Sequence, residues 1–293
     1  NKIQFAVTIP VDFSRKLLRG EQPDLLLEAD ATDPSAVGFA MSALNVLTAN
    51  VLNRDLKGPL LSLRTGATPF NVISHPHYNP ESITQYNIVP GLTGVMLTMT
   101  LIIITGLAIT RERERGTMEN LLSTPVHPGE VIVGKIVPYI LVGYVQMTLV
   151  LLAAKFIFDV PFMGSVPMLM ALTLLFIVAN LAVGITFSTI AKNQLQAVQM
   201  AFFFFLPSLL LSGYMFPFRG MPEWAQYLGE CLPLTHFLRI VRGILLKGVG
   251  PLEILPELWP LLLFMLFVTF FDSQELWRGG REKPVVPIPA MAI

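Results

Sequence analysis

A run of about twenty residues without charge has few places to go in a folded chain, and this sequence contains several. Residues 88–110, 166–190 and 197–216 carry no charged side chain; 136–156 carries only Lys155, in its last turn, and 254–271 only Glu257, near its start. A helix needs about 20 mainly apolar residues to cross the hydrocarbon of a bilayer. A single soluble domain of this length has too little interior to bury five such helices. Composition agrees: 53% of the 293 residues are hydrophobic, 14% are charged and mean hydropathy is +0.62, whereas soluble domains carry about 25% charged residues. The expected fold is an α-helical polytopic membrane protein with five spans in this chain.

Residues 1–86 read differently, as a water-soluble α/β unit. Strands are expected over 3–10, 24–30 and 70–80, and helices over 12–20 and 35–53. The second helix places Val37, Met41, Leu44, Leu47 and Val51 at helical spacing on one face. The transmembrane domain then covers 87–272. The tail, 273–293, carries Pro284, Pro287 and Pro289 without periodicity and is expected to lack fixed structure.

Lysine and arginine in short loops set orientation. One side collects Arg111, Arg113, Arg115, Lys135, Lys192, Arg278, Arg281 and Lys283; loops on the other hold Arg219, Arg239, Arg242 and Lys247. The first side is therefore expected to be cytoplasmic and residues 1–86 external. An external domain at this position calls for an upstream span, so the complete protein is expected to have six.

Between the fourth and fifth spans, residues 217–248 form neither a span nor a simple loop. "MPEWAQYLGECLPL" and "THFLRIVRGILLKG" each read as a short helix. In the second, Phe237, Ile240, Val241, Ile244 and Leu245 share a face, with Arg239 and Arg242 opposite. That is the pattern of a re-entrant or interfacial segment on the outer side. Trp224 and Tyr227 suit the headgroup level.

The sharpest change of character is "RERERGTMENLLSTPVHPGEVIVGK" (111–135). Three arginines anchor a helix end in the cytosol. Glu112, Glu114 and Glu119 do not contribute to that, because acidic residues weigh little in orientation. A short mixed-charge helix with Met118, Leu121 and Leu122 on its surface reads as a docking element; an orientation signal alone is the competing reading.

The 111–135 stretch, "LSGYMFPFRGMPEWAQYLGECLPLTHFLRIVRGILLKG" (211–248) and "IPVDFSRKLLRG" (9–20), in that set of positions, resemble the ABC-2 family of ATP-binding-cassette export permeases, in its drug-exporter branch with a large external domain. The resemblance runs over most of 1–272. It implies a permease subunit without its own ATPase activity, paired with a second permease copy as a homo- or heterodimer. A cytoplasmic ABC ATPase would dock on the 111–135 loop and hold ATP and Mg²⁺. On the same grounds Glu112, Arg113, Glu114, Gly116, Thr117, Glu119, Leu121, Thr124 and Pro125 would form the coupling surface. The implied location is the bacterial inner membrane, among lipids, with a drug-like or lipid-like amphiphile as substrate.

The chain lacks a GxxxxGK[ST] phosphate loop, and its zero net charge gives no reason to expect nucleic acid. His75 and His77 lie on one side of a strand with no carboxylate beside them in sequence, so they read as a surface strand end and no metal site is expected. His127 and His236 stand alone. Cys231 reads as a small apolar filler. Asn180 is either a helix–helix hydrogen-bonding group or part of a substrate path. Phe202, Phe203 and Phe205 are either lipid-facing bulk or an apolar portal, together with Tyr214. Competing functions are an ion-coupled carrier, disfavoured by the scarcity of intramembrane charge, and a lipid-modifying membrane enzyme, which needs clustered catalytic groups.

Overall fold

The structure is a computed structural model that describes residues 4–19, 21–50, 70–116 and 128–281. Its first part is a sheet in the order β1-β2-β3. The strands are β1 (Phe5–Thr8), β2 (Asp24–Asp30) and β3 (Asn71–His77); α1 (Phe13–Leu18) lies between the first two and α2 (Pro34–Asn50) between the last two. β1 runs antiparallel to β2, and β2 parallel to β3, as the long α2-containing crossover allows. β2 buries Leu25, Leu27 and Ala29 and leaves Leu26, Glu28 and Asp30 half-exposed, the alternation of a strand covered on one face. Ala29, Ala31 and Val37 form the small core, with Phe5 and Met41 against it. The apolar stripe expected on α2 holds only in its first half: Val37 is buried, Leu47 is exposed, and Val51 lies outside the described residues.

The turn after β3 is fastened by Asn79. Its carboxamide accepts from the Ile83 N–H and donates to the Ile83 carbonyl, both at 2.9 Å. This turn delivers the chain into α3 (Thr84–Glu114), followed by α4 (Pro128–Phe156), α5 (Val166–Ile190) and α6 (Gln194–Leu211), with another long helix from Pro251 to Arg281. Five stretches of these helices are long and apolar enough to cross a membrane: Thr84–Glu112, Ile136–Phe156, Val166–Ile190, Gln194–Leu211 and Pro251–Phe270. The chain thus has the polytopic helical architecture expected, with an additional small mixed sheet.

Burial separates the bundle's centre from its rim. The apolar windows of α3 and α5 are 53% and 61% buried, those of α4 and the last helix 17% each, so α3 and α5 form the middle. They cross at close range: a Cβ on Gly184 would stand 2.7 Å from Thr105 Cβ and 3.0 Å from the Ile102 carbonyl oxygen. Small residues at a membrane-helix crossing permit this approach.

Two boundaries differ from expectation. The fourth span was expected over 197–216, whereas α6 occupies Gln194–Leu211. It starts early because Asn193 caps it: Asn193 Oδ1 accepts from the Gln196 N–H at 2.8 Å while Gln196 Oε1 accepts from the Lys192 N–H at 2.9 Å, a reciprocal arrangement of the capping-box kind. It stops early because Gly213 turns left-handed, φ 81°, as helix ends favour. The last helix continues to Arg281, so 273–281 are helical where a tail without structure was expected; 282–293 lie outside the described residues.

Between these spans come a 3₁₀ turn at Phe218–Gly220, α7 (Glu223–Glu230), α8 (Pro233–Arg242) and a π turn at Gly243–Lys247; the helix from Pro251 is α9. None of these short pieces can span a bilayer. α8 turns its expected apolar face inward, with Phe237, Ile240, Val241, Ile244 and Leu245 all at most 2% exposed, and packs against α3, α5 and α9. Gly94 of α3 makes room for it, since a Cβ there would stand 2.8 Å from Leu234; one on Gly91 would stand 2.5 Å from the ring of Tyr214, in the turn after α6, and 3.5 Å from Arg242 Nη2 of α8. Phe237 stacks on Phe176 of α5 with ring centroids 3.9 Å apart. Cys231, expected inside, is exposed because it caps the surface end of α7, where its thiol donates to the Tyr227 carbonyl.

Candidate functional sites at the two ends of the bundle

At one end α3 carries the arginine–glutamate alternation out of the bundle. Glu114 Oε1 accepts from the backbone N–H of Gln194 at 2.7 Å, and Oε2 accepts from the Gln194 side-chain amide. The carboxylate thus satisfies one of the free N–H groups at the start of α6, where the helix dipole favours negative charge. First the backbone bond and then the side-chain bond hold the Glu114 carboxyl below its ordinary range. One of the acidic residues without a role in orientation therefore has one inside the chain. Glu112 lies half-exposed at the same end, and Arg113 belongs to the last turn of α3. Gly116 takes φ 69°, a left-handed turn that glycine favours, and among the described residues nothing stands within 4 Å of where a Cβ would be. Thr117, Glu119, Leu121, Thr124, Pro125 and His127 lie outside the described residues.

At the opposite end the sheet meets α8 and the π turn. Lys247 pairs with Asp30 and lies 5.3 Å from the centre of the Tyr78 ring; Asn87 donates to Asp33 at 3.5 Å. Beside this seam sits a network that the sequence did not disclose. His236 Nδ1 is 2.7 Å from the Glu257 carboxylate and Nε2 2.8 Å from the Glu230 carbonyl oxygen. Arg239 bonds Glu230 at 2.6 Å and Glu257 at 3.2 Å, with its guanidinium 4.6 Å over the Phe218 ring. Burial lowers the Arg239 pKa, but the Glu230 and Glu257 carboxylates outweigh it and leave the group above its ordinary value. Arg239, expected to face away from the core into the interface, is turned into this network and ties α7, α8 and α9 together. The only linear signal was the spacing of His236 and Arg239, three apart on one helix face.

Arg242 is also drawn inward. Its Nη1 donates to the Gly213 carbonyl at 3.1 Å, while Nε and Nη2 are buried without a hydrogen-bond partner among the described residues. It borders a polar cavity of about 210 Å³, shared with Asp30, Asp33, Arg239 and Lys247. A larger apolar cavity of about 640 Å³ lies between the sheet unit and the segment before α7, with Phe5, Phe39, Phe216 and Met221 in its walls.

The candidate path residues divide between interior and rim, with Phe205 and Tyr214 in one apolar cluster with Phe176. Asn180 is fully buried, its amide donating to the Phe176 carbonyl of its own helix at 2.8 Å and its Oδ1 without a hydrogen-bond partner among the described residues. It shares a face of α5 with Gly184 and Ser188, four and eight residues on. Phe205 is buried, whereas Phe202 and Phe203 are 41% and 80% exposed on α6. Tyr214 lies against Gly91 at the sheet end.

Comparison with known proteins gives a consistent result. A family model described as ABC-2 family transporter protein matches residues 1–271. The probable multidrug ABC transporter permease YbhR of Escherichia coli K12 is 31% identical over 261 residues, 89% of this chain and 70% of its own length. The inner membrane transport permease YhhJ of the same organism is 34% identical over 276 residues, 90% of this chain and 69% of its own. ABC transporter G family member 20 of Dictyostelium discoideum is 27% identical over 172 residues, 59% and 24% respectively.

Proposed function

The chain belongs to the ABC-2 transporter family, a permease of an ABC transporter with several membrane-spanning helices, and on that premise we propose that it is the membrane subunit of an ATP-driven exporter. It moves a hydrophobic or amphiphilic molecule, drug-like or lipid-like, outward across the inner membrane. A separate cytoplasmic ATPase binds ATP and Mg²⁺ and docks on 111–135, with Glu112, Arg113, Gly116, Thr117, Glu119, Leu121, Thr124 and Pro125 as its contact surface. Glu114 braces that surface from behind. A second permease copy completes the transporter. The sheet unit lies on the external side, and the exposed Phe202 and Phe203 of α6 border the apolar route or the paired copy.

One observation carries the coupling: α3 is a single 31-residue helix that reaches from the sheet end to the charged loop. It packs on α4, α5, α6 and α8. A push delivered at Glu112 is thereby passed to the seat of α8 at Gly91 and Gly94. The drug-like substrate class rests on the names of the bacterial relatives and on the apolar 640 Å³ cavity. The test is co-purification with a candidate ABC ATPase from the same source, then ATP hydrolysis in liposomes with and without hydrophobic cationic dyes. Stimulated hydrolysis with outward dye movement supports the reading; a stable complex whose hydrolysis no amphiphile changes contradicts the substrate class.

A further inference from the structure

The sheet brings to a histidine pair a carboxylate that the linear sequence keeps far from it. His75 and His77 alternate onto the same face of β3. β2 runs parallel beside it with Glu28 opposite His75 and Asp30 opposite His77, so Glu28 shares that face. It is the face opposite the one on which β2 buries Leu25, Leu27 and Ala29. One ligand atom from each of Glu28, His75 and His77 lies within 4.8 Å of the others. His77 Nε2 is 3.8 Å from Glu28 Oε1, and the two imidazoles meet edge to face with centroids 4.8 Å apart.

We propose that Glu28, His75 and His77 bind a divalent transition-metal cation of the zinc class on the open face of the sheet. Two imidazoles and one carboxylate are a ligand set for zinc with one position left open. The nitrogen donors select against calcium and magnesium, which take oxygen. Bonds of about 2.0–2.2 Å at tetrahedral angles place ligand atoms roughly 3.3–3.5 Å apart. The three side chains therefore close by about 1.5 Å at most, and all three are at least partly exposed. The next carboxylate on that face, Asp30, is engaged by Lys247. The fourth position is left to water or a solute. Bound metal would pin β3 to β2 one residue before Tyr78, the ring against which Lys247 rests. This site stands apart from the transport reading and does not depend on it.

The experiment uses the full chain in detergent, purified through a histidine-free tag and stripped with chelator, and titrated with Co²⁺ alone. The expected result is one Co²⁺ per chain with the strong visible absorption of a four- or five-coordinate centre, discharged by one equivalent of Zn²⁺. Replacing both histidines, His75→Ala with His77→Ala, removes the band. Glu28→Gln weakens binding by at least about tenfold, and His127→Ala leaves it unchanged. A wild-type chain with no such band overturns the proposal, whatever the variants do. So does a band that survives the double histidine replacement or disappears with His127.

Discussion

The Glu114 carboxylate caps the first residue of α6, Gln194, 80 positions further along the chain. The end of α3 and the start of α6 are therefore a fixed pair behind the charged loop. Cysteines placed at 114 and 194 in a Cys231→Ser background should join through a short bifunctional reagent, whereas 114 paired with 166, at the far end of α5, should not. Equal yields for the two pairs would contradict the arrangement.

The same contact gives a pH dependence. A carboxyl held below its ordinary value contributes stability above the usual glutamate range, about 4.3, and loses it as pH falls through its lowered value. The distance distribution between spin labels at Arg111 and Lys192 should stay narrow from pH 8 to 5 and broaden only below the ordinary glutamate range. Broadening already at pH 6 would point to a different cause.

Coupling to the ATPase is tested without disturbing that brace. Glu112→Lys with Glu119→Lys keeps the three arginines and Glu114, so insertion and expression should remain near parental. Loss of a central contact costs about 2 kcal/mol in such interfaces, roughly a thirtyfold loss of affinity for the ATPase. Parental binding and hydrolysis in the double variant would leave 111–135 as an orientation signal only.

Cys231 is the only cysteine of the chain and is exposed at the end of α7. In intact cells an impermeant thiol reagent should label it from outside, and Cys231→Ser should abolish the signal. Lys192→Cys in that background should label only after permeabilisation. The reverse pattern would invert the topology.

Glu257→Ala strips His236 and Arg239 of a shared partner. Removing one member of a fully buried pair costs about 3–5 kcal/mol; with Glu257 27% and Arg239 33% exposed, about 1–3 kcal/mol is expected after screening. Thermal unfolding in detergent measures it, and a cycle with Arg239→Ala should return a coupling of about 1 kcal/mol. Additive losses would mean that the network is not one unit.

What was legible in the sequence was what depends on neighbours in the chain. Twenty-residue apolar runs revealed the spans, and the stripe from Phe237 to Leu245 revealed the inward face of α8. The α6 boundaries were missed because apolarity says nothing about where a helix stops: Gly213 ends it inside a still apolar run, and Asn193 starts it before that run begins. His236 and Glu257 looked unrelated because they lie on two different helices, 21 residues apart. Cys231 was misplaced because its apolarity was weighed without its position at a helix cap. Glu28 joined His75 and His77 only through strand register.

The unbroken run of α3 has a mechanical consequence. At about 1.5 Å per residue its 31 residues measure roughly 46 Å. α5 presses on the helix most closely at Thr105, across from Gly184, about two-thirds of the way toward Glu114, and pivoting there would make it a lever with unequal arms. A tilt of about five degrees would move the charged end by roughly 1 Å and the Gly91–Gly94 end by roughly twice that. A small stroke from an ATPase would arrive at the seat of α8 enlarged and reversed in direction.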